Sequence, residues 1–242
     1  MESLRWPAFT VTAITVGDPN SMDLDFSPVL DSAQFLLHGL ELTLALSALS
    51  MLCSLAVGGA IGLARCYGPQ WLRWPLVFYI DSMRSIPVFV VLVWTYFALP
   101  IVTGMVLPPF WAALVALSAH IAAYVAEIVR AGVSSIRPGQ TRAAFALGMS
   151  RAQTIREIVL PQALIRMLPA FGSILSITIK DTAIAAVIAV PEYMNRSQTV
   201  AGQSFHPIEI FMVAMVVYFL ILFPVTRIVD MVYVRLAHLG RS

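Results

Sequence analysis

The chain has 242 residues, of which 59% are hydrophobic and only 12% are charged, and its formal net charge at pH 7 is +2. Soluble domains contain roughly a quarter charged residues, so this composition excludes an ordinary soluble domain. It predicts one membrane domain surrounded by a lipid bilayer, with no nucleic-acid partner.

Five apolar stretches are long enough to cross a bilayer as helices, because about 30 Å of hydrocarbon requires about 20 helical residues. They cover approximately residues 33–64, 75–99, 107–129, 164–190 and 208–234. The sequence therefore predicts an all-α integral membrane protein with five transmembrane helices.

The charges between these stretches predict the orientation, because Lys and Arg are retained on the cytoplasmic side. The basic residues at the first and third turnarounds and after the last stretch are Arg65, Arg73, Arg130, Arg137, Arg142, Arg151, Arg156, Arg166, Arg235 and Arg241. The tail of residues 1–31 instead contains five acidic residues and one arginine. We therefore expect an external tail of residues 1–31 and a transmembrane domain of residues 32–242, with the N-terminus out and the C-terminus in.

Cysteine and histidine usage predicts neither a disulfide nor a metal site. Cys53 and Cys66 lie about 20 Å apart on the first predicted helix, so they cannot pair with each other. The four histidines are scattered, and only His120 lies deep in a predicted span. His120 either forms a hydrogen bond to a neighbouring helix or takes part in transport. We expect no catalytic residue in the chain.

Ionisable residues inside the spans are candidates for function, because a charge within the bilayer is energetically unfavourable. In the second span, Asp81 and Arg84 share a helix face just before Pro87, which predicts a kink. These two charges either line a polar path or neutralise each other. In the third span, Glu127 and Arg130 lie three residues apart and are predicted to form a structural pair.

A charged helical hairpin at residues 142–161 follows the third span. Thr141 is predicted to cap its first helix, and Gly148 to end that helix in a left-handed conformation. Ser150 and Gln153 have the capping-box spacing for a second helix, which Pro161 is expected to stop. The resulting cytoplasmic corner is either a knob that fits a partner's cleft or an ordinary amphipathic surface loop.

The fourth span contains the consecutive polar residues Lys180, Asp181 and Thr182. Adjacent side chains on a helix point about 100° apart, so Lys180 and Asp181 are poor partners for each other. Each requires another polar group, which a polar pathway between helices would provide.

The hairpin resembles the EAA motif, the coupling-helix signature of the membrane subunits of bacterial ABC importers. The residues that stand at the spacing of this motif are Ala143, Ala144, Gly148, Ile158, Leu160 and Pro161. Together with Arg142 and Ser150, they are implied to couple to an ATPase within a coupling region of residues 139–161. The motif usually begins with an acidic residue, and this chain has Arg142 at that position.

The similarity extends from about Gly39 onward and is strongest to the polar amino-acid uptake permeases. The blocks that resemble this family are GLELTLALSALSMLCSLAVGGAIGLAR, YIDSMRSIPVFVVLVWTYFALP, AAYVAEIVRAG and IKDTAIAAVIAVPEY. The family usually has Arg-Gly-Thr-Pro where this chain has Arg-Ser-Ile-Pro at residues 84–87. The resemblance implies the permease subunit of an ATP-driven importer for a polar amino acid, located in the bacterial inner membrane.

An α-amino acid carries an ammonium and a carboxylate group. A path for it therefore needs an acid, and a cation or a helix N-terminus, within several ångströms of each other. The residues we expect to line this path are Asp81, Arg84, His120, Lys180, Asp181 and Thr182.

The source of energy is predicted to lie in another chain. The single lysine, Lys180, follows no glycine run, so the sequence lacks a phosphate-binding loop. The resemblance implies a second permease subunit (a second copy or a close paralogue), two cytoplasmic ATP-binding subunits and an external solute-binding protein. We expect no cofactor in this chain, because ATP and Mg²⁺ would be bound by the partner ATPase.

Two other classes of protein remain as alternatives. An ion-gradient-driven secondary transporter of a small polar solute could use Asp81 and Asp181 for proton or sodium coupling, although the spans show no internal repeat. A membrane enzyme or redox subunit would need a nucleophile with its base, or paired histidine ligands, and neither constellation is visible in the sequence.

Overall fold

The computed structural model describes residues 24–239, and every regular element in this range is a helix. The helices are α1 (Ser27–Asp31), α2 (Ala33–Tyr67), α3 (Gln70–Ser85), α4 (Val88–Thr103), α5 (Pro109–Ser134), α6 (Pro138–Ala146), α7 (Arg151–Ile188), α8 (Tyr193–Ser204) and α9 (Pro207–Leu239). The predicted all-α architecture is thus confirmed for the described range. Residues 1–23 of the predicted external tail lie outside it.

Four of these helices, α2, α5, α7 and α9, are long and apolar enough to cross a membrane. The second predicted span is a bent pair, because α3 and α4 meet at an angle of 107°. Ile86 between them is extended, with φ −91° and ψ 131°, as expected for a residue before a proline. Pro87 cannot donate a backbone hydrogen bond, so the kink predicted there is a complete break between two helices.

Helix α5 lies at the centre of the fold and packs against α2, α3, α4 and α7. Small residues allow α2 to approach it closely. A Cβ added at Gly58 would lie 2.4 Å from the carbonyl oxygen of Ala122, and one added at Gly62 would lie 2.7 Å from that of Ala126. The contact between α2 and α5 therefore depends on glycines in one helix facing backbone in the other.

Helix α7 continues through Pro161, so the predicted stop at this proline is wrong. Its residues Thr154–Val159 form π-helical turns, and the backbone N–H of Leu160 donates to the carbonyl of Ile155, five residues earlier. Pro161, which has no backbone N–H to donate, follows directly after these turns in the α-helical segment that begins at Leu160. The π-helical turns thus accommodate the proline without ending the helix.

Candidate functional site

A cleft of about 470 Å³ opens at the break between α3 and α4, where it faces α5 and α7. Three residues of the predicted substrate path line this cleft, namely Arg84 from α3, His120 from α5 and Asp181 from α7. Apolar side chains, including Ile121 and Ile174, form much of the remaining wall. The fold therefore brings a cation, an imidazole and a carboxyl group from three helices to one partly apolar cleft.

Tyr124 contacts both Arg84 and His120 on the polar side of the cleft. The Arg84 guanidinium lies 5.6 Å from the centroid of the Tyr124 ring, within the range of a cation–π contact. The centroids of the His120 and Tyr124 rings are 5.3 Å apart. His120 is only 5% exposed, and its Nδ1 has no hydrogen-bond partner among the described residues. Tyr124 lies one helical turn after His120 in the sequence, which is the signal that could have identified it as a neighbour.

The other predicted path residues lie outside this cleft. Asp81 and Lys180 are exposed and do not line it. Thr182 is fully buried, and its hydroxyl donates to the carbonyl of Ile179 at 2.8 Å. Within residues 24–239 no ion pair joins Asp81 to Arg84 or Lys180 to Asp181. The alternative in which Asp81 and Arg84 neutralise each other is therefore not the observed arrangement.

The predicted hairpin consists of two helices joined at a glycine, and we refer to residues 137–161 as the corner. Helix α6 begins at Pro138, so Thr141 lies inside the helix and the predicted cap at Thr141 is wrong. Gly148 has φ +79°, which confirms the predicted left-handed conformation. The Ser150 hydroxyl accepts from the Gln153 N–H at 3.3 Å, and the Gln153 side chain accepts from the Ser150 N–H at 2.8 Å, so the capping box is confirmed.

The residues implied to couple to an ATPase divide into an outer and an inner group. The exposed members are Arg142, Ala143, Gly148, Ser150 and Pro161. Ile158 and Leu160 are half-buried, and Ala144 is buried. The first helix of the corner, which contains Ala144, packs against Thr154–Val159, and Leu160 lies beside Leu55 and Leu63 of α2, while the exposed residues remain accessible.

Glu127 forms the predicted pair with Arg130, at 2.6 Å between Arg130 Nη2 and Glu127 Oε1. Arg65 from the end of α2 also contacts the Glu127 carboxylate, at 2.7 Å. Arg65 was not predicted as a partner, because 62 positions separate it from Glu127 in the chain. The cluster of Arg65, Glu127 and Arg130 ties α2 to α5. The end of α2 also contacts the corner, because the Arg151 guanidinium is 5.9 Å from the centroid of the Tyr67 ring.

The buried carboxyl group of Glu192 was missed by the sequence analysis. It accepts from the backbone N–H groups of Met194 and Asn195, at 2.9 Å and 2.7 Å, and from the Thr43 hydroxyl at 3.1 Å. The same hydroxyl oxygen accepts from the Tyr193 N–H at 3.0 Å. Burial raises the pKa of the Glu192 carboxyl, and these hydrogen bonds oppose the rise. An acid placed directly before a helix is an N-cap signal, but its contact with distant Thr43 is not readable from the sequence.

Comparison with known proteins identifies relatives over most of the chain. Residues 54–238 match the family described as "Binding-protein-dependent transport system inner membrane component". The chain is 36% identical over 201 residues to the glutamine transport system permease protein GlnP of Escherichia coli (strain K12), covering 83% of this chain and 92% of GlnP. It is 34% identical over 207 residues to the arginine transport system permease protein ArtQ of Bacillus subtilis (strain 168), covering 86% of this chain and 94% of ArtQ.

Solved structures show the same fold. One of them is described as "Crystal structure of an amino acid ABC transporter with histidines". The chain superposes on it with a TM-score of 0.83 at 28% identity, and the match covers 88% of this chain and 100% of that chain. It superposes on an inward facing conformation of the MetNI methionine ABC transporter with a TM-score of 0.69 at 21% identity, covering 84% of this chain and 98% of that chain. The chain therefore belongs to the family of binding-protein-dependent transport system inner membrane components, and it is a multi-pass inner-membrane permease subunit of an ABC transporter rather than an enzyme.

Proposed function

We propose that this permease subunit imports a polar amino acid and forms the translocation path as a dimer, with ATP hydrolysed by two copies of a separate ATPase. Membership in the family implies that the chain works with an ATPase and a substrate-binding protein. The named relatives transport glutamine and arginine, which are polar amino acids. They support the substrate class.

The observation that carries the proposal is the convergence of Arg84, His120 and Asp181 on one cleft. The guanidinium of Arg84 is suited to the substrate carboxylate, because arginine binds carboxylates through paired charge-assisted hydrogen bonds. The Asp181 carboxylate is suited to the substrate ammonium. His120 Nδ1, which is buried and lacks a partner in the described chain, can take a further polar group of the substrate.

The proposed second subunit accounts for the charges outside the cleft. Asp81 and Lys180 are exposed on helices of the membrane domain. A charge facing lipid at the bilayer centre costs about 3 kcal/mol on insertion scales, so both side chains require polar surroundings. A second copy or a close paralogue packed against this surface would enclose Asp81 and Lys180 in a shared path between subunits.

The corner is proposed to transmit the work of the ATPase. The distribution of Lys and Arg supports a cytoplasmic position for the corner, with the N-terminus outside and the C-terminus inside. Each ATPase subunit, with its bound ATP and Mg²⁺, would hold one corner, and an external solute-binding protein would deliver substrate to the opposite face. Closure of the ATPase pair would bring the two corners together and alternate the access of the path between the two sides of the membrane.

Uptake by proteoliposomes that contain this chain, the co-purifying ATPase and the solute-binding protein tests the proposal. We expect uptake to require ATP and to fall when Asp181→Asn or Asp81→Asn is introduced. The matched control is Asp230→Asn, because Asp230 is also exposed but lies on α9, away from the cleft.

Two results would contradict the proposal. If both path variants transport at the normal rate and are made at normal levels, these carboxylates do not line the path. If uptake proceeds without ATP and is abolished by an ionophore, the chain is a gradient-driven secondary transporter.

A further inference from the structure

The surface of the corner combines an apolar tip with a basic rim. Leu147 is 82% exposed and Phe145 is 48% exposed, and both precede the left-handed Gly148. The same segment contains four exposed basic residues, Arg137, Arg142, Arg151 and Arg156. Exposed apolar side chains together with charged residues have the composition of a protein docking surface.

The positive charge of this rim is not neutralised within the corner. Residues 137–161 contain four arginines and one acidic residue, Glu157, which gives a net charge of +3. Glu157 lies 3.6 Å from Arg156, and the two side chains are 61% and 86% exposed. In the described part of the chain, no carboxylate lies within ion-pair distance of Arg137, Arg142 or Arg151.

The conformation of the corner favours a protein partner over the membrane surface. Both of its helices are fixed at the turn, α6 by the left-handed Gly148 and α7 by the Ser150 capping box. Helix α6 has only nine residues, so it is short for an amphipathic helix lying in the headgroup region. A rigid, preformed tip instead suits a groove of matching shape, because little conformational entropy is lost when it docks.

We infer that the ATPase subunit receives the corner in a groove with an apolar floor and an acidic rim, and that a carboxylate of this rim faces Arg142. This inference rests on the proposed function, in which an ATPase holds the corner. The EAA motif, which the hairpin resembles, usually has an acidic residue at the position of Arg142. We therefore expect an acidic group on the ATPase at this point, where a partner of the usual motif would need a basic one. Arg142 thus selects against ATPase subunits that present a basic group there, because like charges across an interface are repulsive.

The test measures the affinity between the purified full chain and the ATPase subunit that co-purifies with it from its native host, in Arg142→Glu and in the unchanged chain. Reversal of one rim charge should weaken binding about tenfold, and the affinity of the unchanged chain should fall as salt is raised. Arg73→Glu is the matched control, because Arg73 is exposed but lies on α3, outside the corner. Thermal denaturation of each variant shows whether it remains folded.

The outcomes separate this inference from the proposed function. If Arg142→Glu binds the ATPase with unchanged affinity and unchanged salt dependence, the acidic rim is wrong, although the ATPase still docks. If no ATPase co-purifies with the unchanged chain, the proposed function fails as well. If the effect of Arg142→Glu occurs in nanodiscs of anionic lipid and disappears in nanodiscs of neutral lipid, the rim faces the membrane and the inference is overturned.

Discussion

Replacement of Gly148 by tryptophan can distinguish an effect on ATPase docking from an effect on folding. The control is a second glycine, Gly104, which has nearly the same backbone conformation. Gly148 has φ +79° and Gly104 has φ +73°, and a Cβ built at either position meets no atom within 4 Å. Neither substitution creates a clash at its Cβ, so each costs mainly the left-handed backbone conformation, about 1–2 kcal/mol. We expect Gly148→Trp and Gly104→Trp to lower the free energy of unfolding by similar amounts.

The two variants should differ in their affinity for the ATPase. Position 148 lies at the turn of the corner beside exposed Leu147, whereas position 104 follows the end of α4. A bulky side chain forced into a well-packed contact costs up to about 3 kcal/mol, which corresponds to roughly a hundredfold loss of affinity. We therefore expect Gly148→Trp to lose ATPase binding and coupled uptake, while Gly104→Trp retains both.

The assay combines ATPase binding in detergent, ATP hydrolysis and uptake in proteoliposomes, and thermal denaturation of each variant. If Gly148→Trp retains full substrate-stimulated hydrolysis and uptake, the corner does not dock the ATPase. If Gly148→Trp and Gly104→Trp lose stability and binding to the same extent, the substitutions act through folding, and the argument from the surface of the corner is refuted.

Three further substitutions are expected to lower thermal stability in detergent. Gly58→Ala places a Cβ 2.4 Å from the Ala122 carbonyl oxygen, and forcing α2 away from α5 should cost about 1–3 kcal/mol. Thr43→Val leaves the Tyr193 N–H without its acceptor and removes one donor from Glu192, with an expected cost of about 1–3 kcal/mol. Glu127→Gln removes the negative charge shared by two arginines and should cost about 2 kcal/mol, less than a fully buried pair because the site is partly exposed.

Each of these substitutions has a control in the same chain. For Gly58→Ala the control is Gly59→Ala, which adds a methyl group that meets no atom within 4 Å. For Thr43→Val the control is Thr199→Val, because the exposed Thr199 hydroxyl bonds only to its own helix. Glu157→Gln affects one exposed ion pair and should change stability by less than about 1 kcal/mol. If a control destabilises the protein as much as its counterpart, the close helix contact, the buried hydrogen bond or the shared charge is not the cause.

Local sequence signals predicted the corner and most of the membrane helices. The apolar stretches identified four continuous helices, because a helix that crosses a bilayer needs about 20 predominantly apolar residues in a row. The capping box at Ser150 and the left-handed Gly148 were also predicted, since each depends on residues within one or two turns. The prediction at Pro161 failed because it assumed a regular α-helix before the proline, whereas the preceding turns are π-helical.

The candidate site was only partly predictable, because its contacts join residues far apart in the chain. Arg84, His120 and Asp181 were recognised individually as polar groups in apolar spans, but only the fold brings them to one cleft. The break at Pro87 was predicted as a kink, but its angle of 107° is not contained in the local sequence signal. Glu192 was missed because, in the sequence, it is an ordinary helix-capping acid.

The π-helical turns at Thr154–Val159 also set the direction in which the corner points. A π-bulge is an α-helix with one additional residue, so deletion of one residue from this segment would allow a regular α-helix up to Pro161. That deletion would rotate the start of α7 and the adjoining turn at Gly148 by about 100° around the axis of α7, and shift them by about 1.5 Å, relative to the rest of the helix. The direction in which Leu147 and the arginines of the corner point around the axis of α7 therefore depends on the number of residues in this segment. A permease of this fold with one residue fewer there must present a different face to its partner.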